Sequence, residues 1–301
     1  SFTMIIGLLL LLAVASATID IACDAFIIEQ LAQDSRGPGN VAQVGGGYLG
    51  LIFGSGLFVT TVALHGWLAA CILLACLVIL MSLPMLLTRE APVAPIAMAS
   101  MPSLVDAFQR VDIRTGLVLA VVFEMSGRLT QSLTGPFLVD AGVPLSLLGM
   151  LNGLGGVTAG ICGAALGGWI VHRRGPVKAV FSIAAAHVIA LCSVALIVAL
   201  GIRHLPLLVT LFMIETAVMA AGFVAIYARL MGLVSPSQPG VDFTLFQSAS
   251  AIAAALFGTG GGLLAHQAGY AASFVMSAAL SMLTPPLLII LERRLTNGPA
   301  A

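Results

Sequence analysis

Nine apolar segments, each long enough to cross a lipid bilayer, set the first limit on what this chain can fold into. They lie at about 4–31, 44–64, 67–87, 114–139, 145–171, 177–200, 205–230, 242–265 and 270–291. A helix of about 20 apolar residues spans the hydrocarbon core of a bilayer. Only 8% of the 301 residues are charged, against about 25% in a soluble domain. The sequence therefore predicts an all-α, polytopic membrane protein with nine transmembrane helices.

The basic residues predict how this bundle sits in the membrane. The connections between the spans alternate between the two sides of the membrane. On one side, which includes the segment 200–204, they hold only Arg203, and Arg128 lies within a span. Cytoplasmic connections carry an excess of Lys and Arg, so we expect a cytoplasmic C-terminus in a cytoplasmic (inner) membrane. The basic residues on the connections that we expect in the cytoplasm are Arg36, Arg89, Arg110, Arg114, Arg173, Arg174, Lys178, Arg229, Arg293 and Arg294.

One long polar connection divides the chain into unequal parts. Residues 89–113 contain several prolines and separate three apolar segments from six. We predict the remainder of an N-terminal helical bundle at 1–88, a central cytoplasmic loop at 89–113 and a C-terminal six-helix bundle at 114–301. Two equal halves would need three further helices before residue 1, for an expected total of twelve, and the absence of an initiator Met agrees with this expectation.

Two carboxylates interrupt the first apolar segment. Asp20 and Asp24 are four residues apart, which places them on one face of a helix. Ionisable groups at membrane depth are costly and tend to face a bundle interior or a water-filled cavity. The pair therefore indicates a path for something polar. The structural alternative is that the two groups pair with arginines on helices outside this sequence.

The segment after the central loop carries both signs of charge. Glu124 and Arg128 have the spacing that favours an ion pair within one helix. Arg128 is the only strongly basic residue at membrane depth, which makes it the best anchor for a carboxylate, a catecholate or a phosphate. Gln131 extends the polar character of the same helix. The alternative is that Glu124 and Arg128 only neutralise each other's charge and bind no solute.

Two further polar residues belong to later segments. Glu215 lies in mid-segment without a basic neighbour in the sequence, so we expect it to be protonated or paired across helices. A proton site and a purely structural role are equally open. A lone His187 is more typical of an interhelical hydrogen bond than of a titrating site. Gln247, one turn beyond the helix start at Asp242, is placed to face a cavity.

A turn in the second half resembles the loop motif of a known superfamily. Residues 168–178 read Gly-Trp-Ile-Val-His-Arg-Arg-Gly-Pro-Val-Lys. They resemble the second-half copy of G-x-x-x-D-R-x-G-R-K in the major facilitator superfamily of secondary transporters, although His172 replaces the acidic residue. That superfamily consists of two six-helix bundles joined by a long cytoplasmic loop, so the resemblance implies the same fold here.

The first segment carries a narrower resemblance. Residues 17–25 read Ala-Thr-Ile-Asp-Ile-Ala-Cys-Asp-Ala, which is similar to the A-T-Q-D-I-x-x-D-A signature of the muropeptide permeases and their siderophore-permease relatives. Ile19 stands where the signature has Gln. Two other stretches, 36–46 and 242–248, resemble the siderophore branch more closely.

These resemblances imply a function. The expected activity is proton-coupled import of a polar organic solute by a symporter, with an iron-siderophore as the first candidate and an anhydro-muropeptide as the alternative. The expected partners are that small molecule, protons and the lipid bilayer, without nucleic acid, and we expect a monomer. The predicted substrate and proton path comprises Asp20, Asp24, Glu124, Arg128, Gln131, Glu215 and Gln247.

Other classes of protein fit the sequence less well. A membrane-embedded transferase and a non-transporting receptor are the alternatives. An enzyme is disfavoured because no Ser or Cys lies at the same membrane depth as a His and an acidic residue, the set that nucleophilic catalysis needs. The sequence also contains no Gly-x4-Gly-Lys-Ser/Thr loop of the kind that binds nucleotide phosphates. The five cysteines form no CxxC pair, so we expect neither a metal nor a cofactor.

Overall fold

The structure is a computed structural model that describes residues 2–31, 35–87 and 103–297. Within these ranges it is helical and contains no strand. Each long helix corresponds to one predicted apolar segment, so the all-α fold class is confirmed. We number them α1 (Phe2–Gln30), α2 (36–65), α3 (67–87), α4 (Val111–Asp140), α5 (145–174), α6 (Pro176–Ala199), α7 (Leu205–Leu230), α8 (239–268) and α9 (270–297).

The region of the predicted central loop is described only in part. A short helix, Leu104–Gln109, precedes α4. Residues 88–102, the larger part of that loop, lie outside the described residues. The division into two halves around this loop therefore stays a prediction.

Glycines with positive φ separate consecutive helices. Gly66, between α2 and α3, has a φ of 84°, and Gly269, between α8 and α9, has a φ of 82°. Residues with a Cβ atom rarely adopt such values. A single glycine therefore lets the chain leave one helix and begin the next with almost no loop.

Helices α4 to α9 form one closely packed bundle. Helix α4 packs against α8 and α9, whereas α7 packs against α5 and α6. The contact between α5 and α7 depends on glycine, because a Cβ atom at Gly163 or Gly167 would collide with the backbone of Ala217 or Ala221. Small residues allow this close approach of helices within a membrane.

Helices α1 and α2 contact this bundle along separate edges. Near the end of α1, Ile21 and Ala25 face Gly240 at the start of α8. Helix α2 packs against α5, where the ring of Tyr48 lies on Gly160. The apolar windows of α1 and of Thr60–Met85 are only 0% and 6% buried. Such uncovered apolar surface suits the hydrocarbon of a bilayer.

Two π-helical turns lie on the contact between α2 and α5. They are Ile52–Leu57 and Leu151–Gly155, and they approach each other. π turns occur frequently at functional sites. Leu51 and Gly156, directly beside them, line the cavity described below.

The lengths and composition of the helices define a multi-pass membrane protein. Within the described residues, six helical stretches are long and apolar enough to cross a membrane, and the last of them holds both α8 and α9. Helix α4 is not one of these, because Glu124, Arg128 and other charged residues interrupt it. The six stretches are Thr3–Gln30, Thr60–Met85, Leu147–Arg174, Pro176–Ala199, Leu205–Leu230 and Pro239–Thr296.

The two ends of the bundle differ in charge. We call the end of the bundle where Arg110 pairs with Asp242 the basic end. At the opposite end, the Tyr270 hydroxyl donates to Asp140 Oδ2 at 2.6 Å. This separation is the one that the basic connections predict, although the orientation in the membrane stays a prediction. The basic end also carries Arg114, Arg173, Arg174, Lys178, Arg229, Arg293 and Arg294.

Candidate functional site

Arg128 and Glu124 form an ion pair in the middle of helix α4. Arg128 Nε donates to Glu124 Oε2 at 2.5 Å, and Arg128 Nη1 donates to Gln131 Oε1 at 3.2 Å. The guanidinium carbon lies 5.0 Å from the ring centre of Phe223 on α7. The side chain of Glu124 is 2% exposed and that of Arg128 is 32% exposed. The carboxylate is therefore enclosed, whereas part of the cation can meet a ligand.

A second polar group lies nearer the basic end. Asp24 on α1 is buried, and its Oδ1 accepts a hydrogen bond from Gln43 Nε2 on α2 at 2.6 Å. Gln247 on α8 interacts with both the Asp24 carboxylate and the Tyr227 hydroxyl. These contacts connect the first two helices to the bundle of α4 to α9 through polar side chains.

A cavity of about 390 Å³ lies next to Gln131, the hydrogen-bond partner of Arg128. Helices α2, α4, α5 and α7 form its wall, and Gln131 joins this wall to the guanidinium. The volume falls in the range of about 300–1,000 Å³ that is typical of small-molecule sites. The polar part of the wall consists of Tyr48, Gln131, Ser132, Thr134, Glu215 and Thr216.

The basic end is closed by a buried carboxylate. Asp242 is fully buried and pairs with Arg110 Nη1 at 2.5 Å. It also accepts from the backbone N–H of Ser235 and from Gln238 Nε2, each at 2.8 Å. This network joins the segment before α4 to the turn before α8. The contact between α1 and α8 lies at the same end of the bundle.

Glu215 lies close to an ionisable residue of another helix. Its Oε1 lies 3.7 Å from His187 Nε2 on α6, and the two side chains are 2% and 7% exposed. Neither of these two atoms has a hydrogen-bond partner among the described residues. The pair is therefore buried, close and incompletely hydrogen bonded.

The structure places the two carboxylates of α1 differently. Asp24 is buried against α2, whereas Asp20, one turn earlier, is exposed. Their spacing gives both residues one helix face, but α1 is covered only towards its end. The other predicted path residues, from Glu124 to Gln247, lie in or beside the central polar region, and their roles in transport stay predictions.

Sequence reasoning missed several neutral members of this region. They carry no charge, so they do not stand out in an apolar segment. Tyr48 follows a run of three glycines that favours a packing interpretation. For Tyr48 and Tyr227, the signal that was present is the amphipathic side chain, an apolar ring with one hydroxyl group, in a membrane helix. The missed residues are Gln43, Tyr48, Phe223 and Tyr227.

The helical arrangement is similar to that of a solved bacterial transporter. A bacterial homologue of the iron transporter ferroportin, solved in an outward-facing state, matches with a TM-score of 0.74 and 14% sequence identity. The match covers 94% of this chain and 70% of that chain. The same homologue with soaked iron matches with a TM-score of 0.58. At this level of identity the likeness shows the fold alone.

Within that fold, the chain resembles the muropeptide permeases. It is 26% identical over 298 residues to the anhydromuropeptide permease of Escherichia coli (strain K12), which covers 96% of this chain and 60% of that protein. It is 23% identical over 307 residues to transporter AmpG 4 of Rickettsia conorii, with 97% and 72% covered. The chain thus spans less than two thirds of the E. coli protein. No family model matches the chain.

These relatives are named as a permease and a transporter, which agrees with the predicted resemblance to permeases and with the expectation of a transporter rather than an enzyme. They favour the muropeptide alternative over the iron-siderophore that we placed first. The siderophore expectation rested on the short segments 36–46 and 242–248. In the structure, Asp242 in the second of these is used for the ion pair with Arg110 at the basic end.

Proposed function

We propose that the protein is a secondary transporter that imports an anhydromuropeptide across the cytoplasmic membrane, driven by a proton gradient. The observation that carries this proposal is the state of Arg128. It lies at membrane depth, pairs with an enclosed Glu124 and still exposes 32% of its side chain, and its hydrogen-bond partner Gln131 lines the cavity. A cation in this setting is costly unless it serves a polar ligand.

The site matches the two chemical parts of such a solute. A muropeptide carries peptide carboxylates, and a guanidinium binds a carboxylate through two parallel hydrogen bonds. Its sugars present hydroxyl and amide groups, which need neutral donors and acceptors. The cavity wall offers these through Tyr48, Gln131, Ser132 and Thr134. We therefore assign the carboxylate to Arg128 and the sugars to the cavity.

The shape of the bundle supports transport by alternating access. The basic end is closed by Asp242 and Arg110, whereas the cavity lies towards the opposite end. With the basic end in the cytoplasm, this is an outward-open form, in keeping with the likeness to a ferroportin homologue in an outward-facing state. The halves 1–88 and 114–301 would then rock along the α1–α8 and α2–α5 contacts.

An uptake assay tests the proposal. The protein, produced from its complete gene, is expressed in a host that lacks its own muropeptide permease, and entry of radiolabelled anhydromuropeptide is measured. We expect saturable uptake that excess unlabelled anhydromuropeptide suppresses and that an iron-siderophore does not. Uptake no greater than in the empty host would contradict the proposal.

A matched pair of variants ties this uptake to the site. Arg128→Ala removes the anchor and should reduce uptake at least tenfold. Arg114→Ala removes an exposed arginine from the same helix, at the basic end, and should leave uptake within about twofold of the wild type. Membrane levels of both variants are compared by immunoblot, so that a loss of protein is not read as a loss of function.

A further inference from the structure

The cavity wall hides an acid–base pair that solute anchoring by Arg128 does not use. His187 Nε2 and Glu215 Oε1 are 3.7 Å apart, and both atoms lack a hydrogen-bond partner among the described residues. Both side chains are more than nine-tenths buried. Glu215 nevertheless contributes to the wall of the cavity. A small ion in the cavity can therefore reach a site that a large solute cannot.

The net charge of the His187–Glu215 pair depends on whether the two side chains share a proton. A lone carboxylate at membrane depth is costly. With one shared proton, either a neutral Glu215 faces a neutral His187, or a charged His187 faces a carboxylate, and in both cases the net charge is zero. Without that proton, a buried carboxylate faces a neutral imidazole, and the pair carries a net negative charge. The geometry therefore allows the two side chains to share one proton.

A contact with helix α4 connects this pair to the solute anchor. A Cβ atom at Gly127 would lie 3.2 Å from His187 Cε1 and 2.8 Å from Met219 Sδ. The imidazole therefore packs against the bare backbone of α4, one residue before Arg128. This contact joins the pair to the part of α4 that carries the anchor.

The ionisable groups that face the pair belong to two neighbouring helices. Tyr48 on α2 interacts electrostatically with Glu215 and with Arg128. Glu124 and Arg128 on α4 neutralise each other. The remaining groups of the helices around the pair lie towards helix ends, apart from the thiols of Cys162 and Cys192. Tyr227 on α7 is a further exception, because it interacts with Glu124 and Arg128 in the central polar region. The end groups are Asp112, Arg114, Asp140, His172, Arg173, Arg174, Lys178, Arg229, Asp242, His266, Tyr270, Glu292, Arg293 and Arg294.

We infer that His187 and Glu215 together hold the proton whose movement drives transport, in a site separate from the Arg128 anchor. This inference rests on the proposed function. A hydronium ion in the cavity gives its extra proton to Glu215 Oε1 or His187 Nε2 and becomes water. After the halves rock, the pair returns the proton to a water molecule on the side of the basic end. On binding, an O–H bond of hydronium breaks as an O–H or N–H bond of the pair forms, and release reverses this exchange.

Two assays on proteoliposomes separate proton coupling from solute binding. The protein from its complete gene is reconstituted with radiolabelled anhydromuropeptide as the probe. Counterflow at equal pH on both sides measures binding and rocking without a driving force. Accumulation under an imposed pH gradient measures coupling. We expect Glu215→Gln to retain counterflow within about twofold of the wild type and to lose at least tenfold in accumulation.

Two further variants sharpen the test. His187→Asn should show the same split as Glu215→Gln, because it removes the other member of the pair. Glu29→Gln, the same chemical change at an exposed position near the end of α1, should leave both assays unchanged.

Each result bears on one proposal. Accumulation by Glu215→Gln at the wild-type level overturns the inference, and so does a loss of counterflow, since Glu215 would then belong to the binding site. If the wild-type protein shows neither counterflow nor accumulation, the proposed function itself is wrong.

Discussion

Arg128 and Glu124 lie one turn apart on helix α4, with Nε of the first 2.5 Å from Oε2 of the second, yet the arginine side chain is 32% exposed and that of the glutamate only 2%. Since the carboxylate of Glu124 is enclosed, an incoming carboxylate can compete for the cation only from the exposed side. The pair therefore behaves as an anchor whose cation has one permanent partner and room for a second.

Removing the permanent partner should tighten solute binding. In Glu124→Gln, the guanidinium no longer shares its charge with an anion, so the solute carboxylate interacts with a full positive charge. We expect the Kd for anhydromuropeptide to fall about tenfold, which corresponds to about 1.4 kcal/mol, while uptake slows because release is harder. Equilibrium binding to the purified protein checks this, and an unchanged or higher Kd would contradict it.

The two carboxylates of α1 should differ in their effect on stability. Asp24→Ala leaves Gln43 without its partner at a buried position, so we expect a loss of about 1–3 kcal/mol. Asp20→Ala changes an exposed residue and should stay within about 0.5 kcal/mol. Thermal unfolding in detergent micelles gives both values. Equal losses would show that the burial of Asp24 is wrongly placed.

A cross-link between α1 and α8 should lock the basic end. A Cβ atom at Gly240 would lie 3.3 Å from the Cβ of Ala25, close to the distance that a disulfide bridges. With the five native cysteines replaced by serine, Ala25→Cys combined with Gly240→Cys should lose at least tenfold in uptake on oxidation and regain it on reduction. The single Ala25→Cys variant is the control. Uptake that survives a complete cross-link would mean that this contact does not open during transport.

The close contact between α5 and α7 should be sensitive to a single methyl group. A Cβ atom at Gly163 collides with the backbone of Ala217, which cannot move like a flexible side chain. We expect Gly163→Ala to cost about 1–3 kcal/mol of stability. Gly149→Ala on the same helix meets nothing within 4 Å and serves as the control. Unfolding midpoints that do not differ between the two variants would argue against this packing.

Much of the fold could be predicted because membrane helices can be recognised by their length and apolar composition. The breaks at Gly66 and Gly175 fall between predicted segments for a local reason, since glycine tolerates a positive φ. The Glu124–Arg128 pair could also be predicted, because both residues lie on one helix. Its unequal exposure was not predictable, since exposure depends on Phe223 and other residues from distant helices.

The rest of the site depends on contacts across the chain. The partner of Glu215 is His187, 28 residues away on another helix, and nothing in either segment indicates which residue they face. Asp20 shows the opposite case, in which a helical spacing was read as a shared environment. Helix α1 is covered only towards its end, so two residues on one face meet different surroundings.

The role of Arg128 as the carboxylate anchor is tested most directly by varying the protein and the solute together. Binding of an anhydromuropeptide with free peptide carboxylates is compared with binding of the same compound in amidated form, for the wild-type protein and for Arg128→Ala. We predict that the wild type prefers the free acid at least tenfold and that the variant shows no preference. An equal preference for the free acid in both proteins would show that another residue recognises the carboxylate.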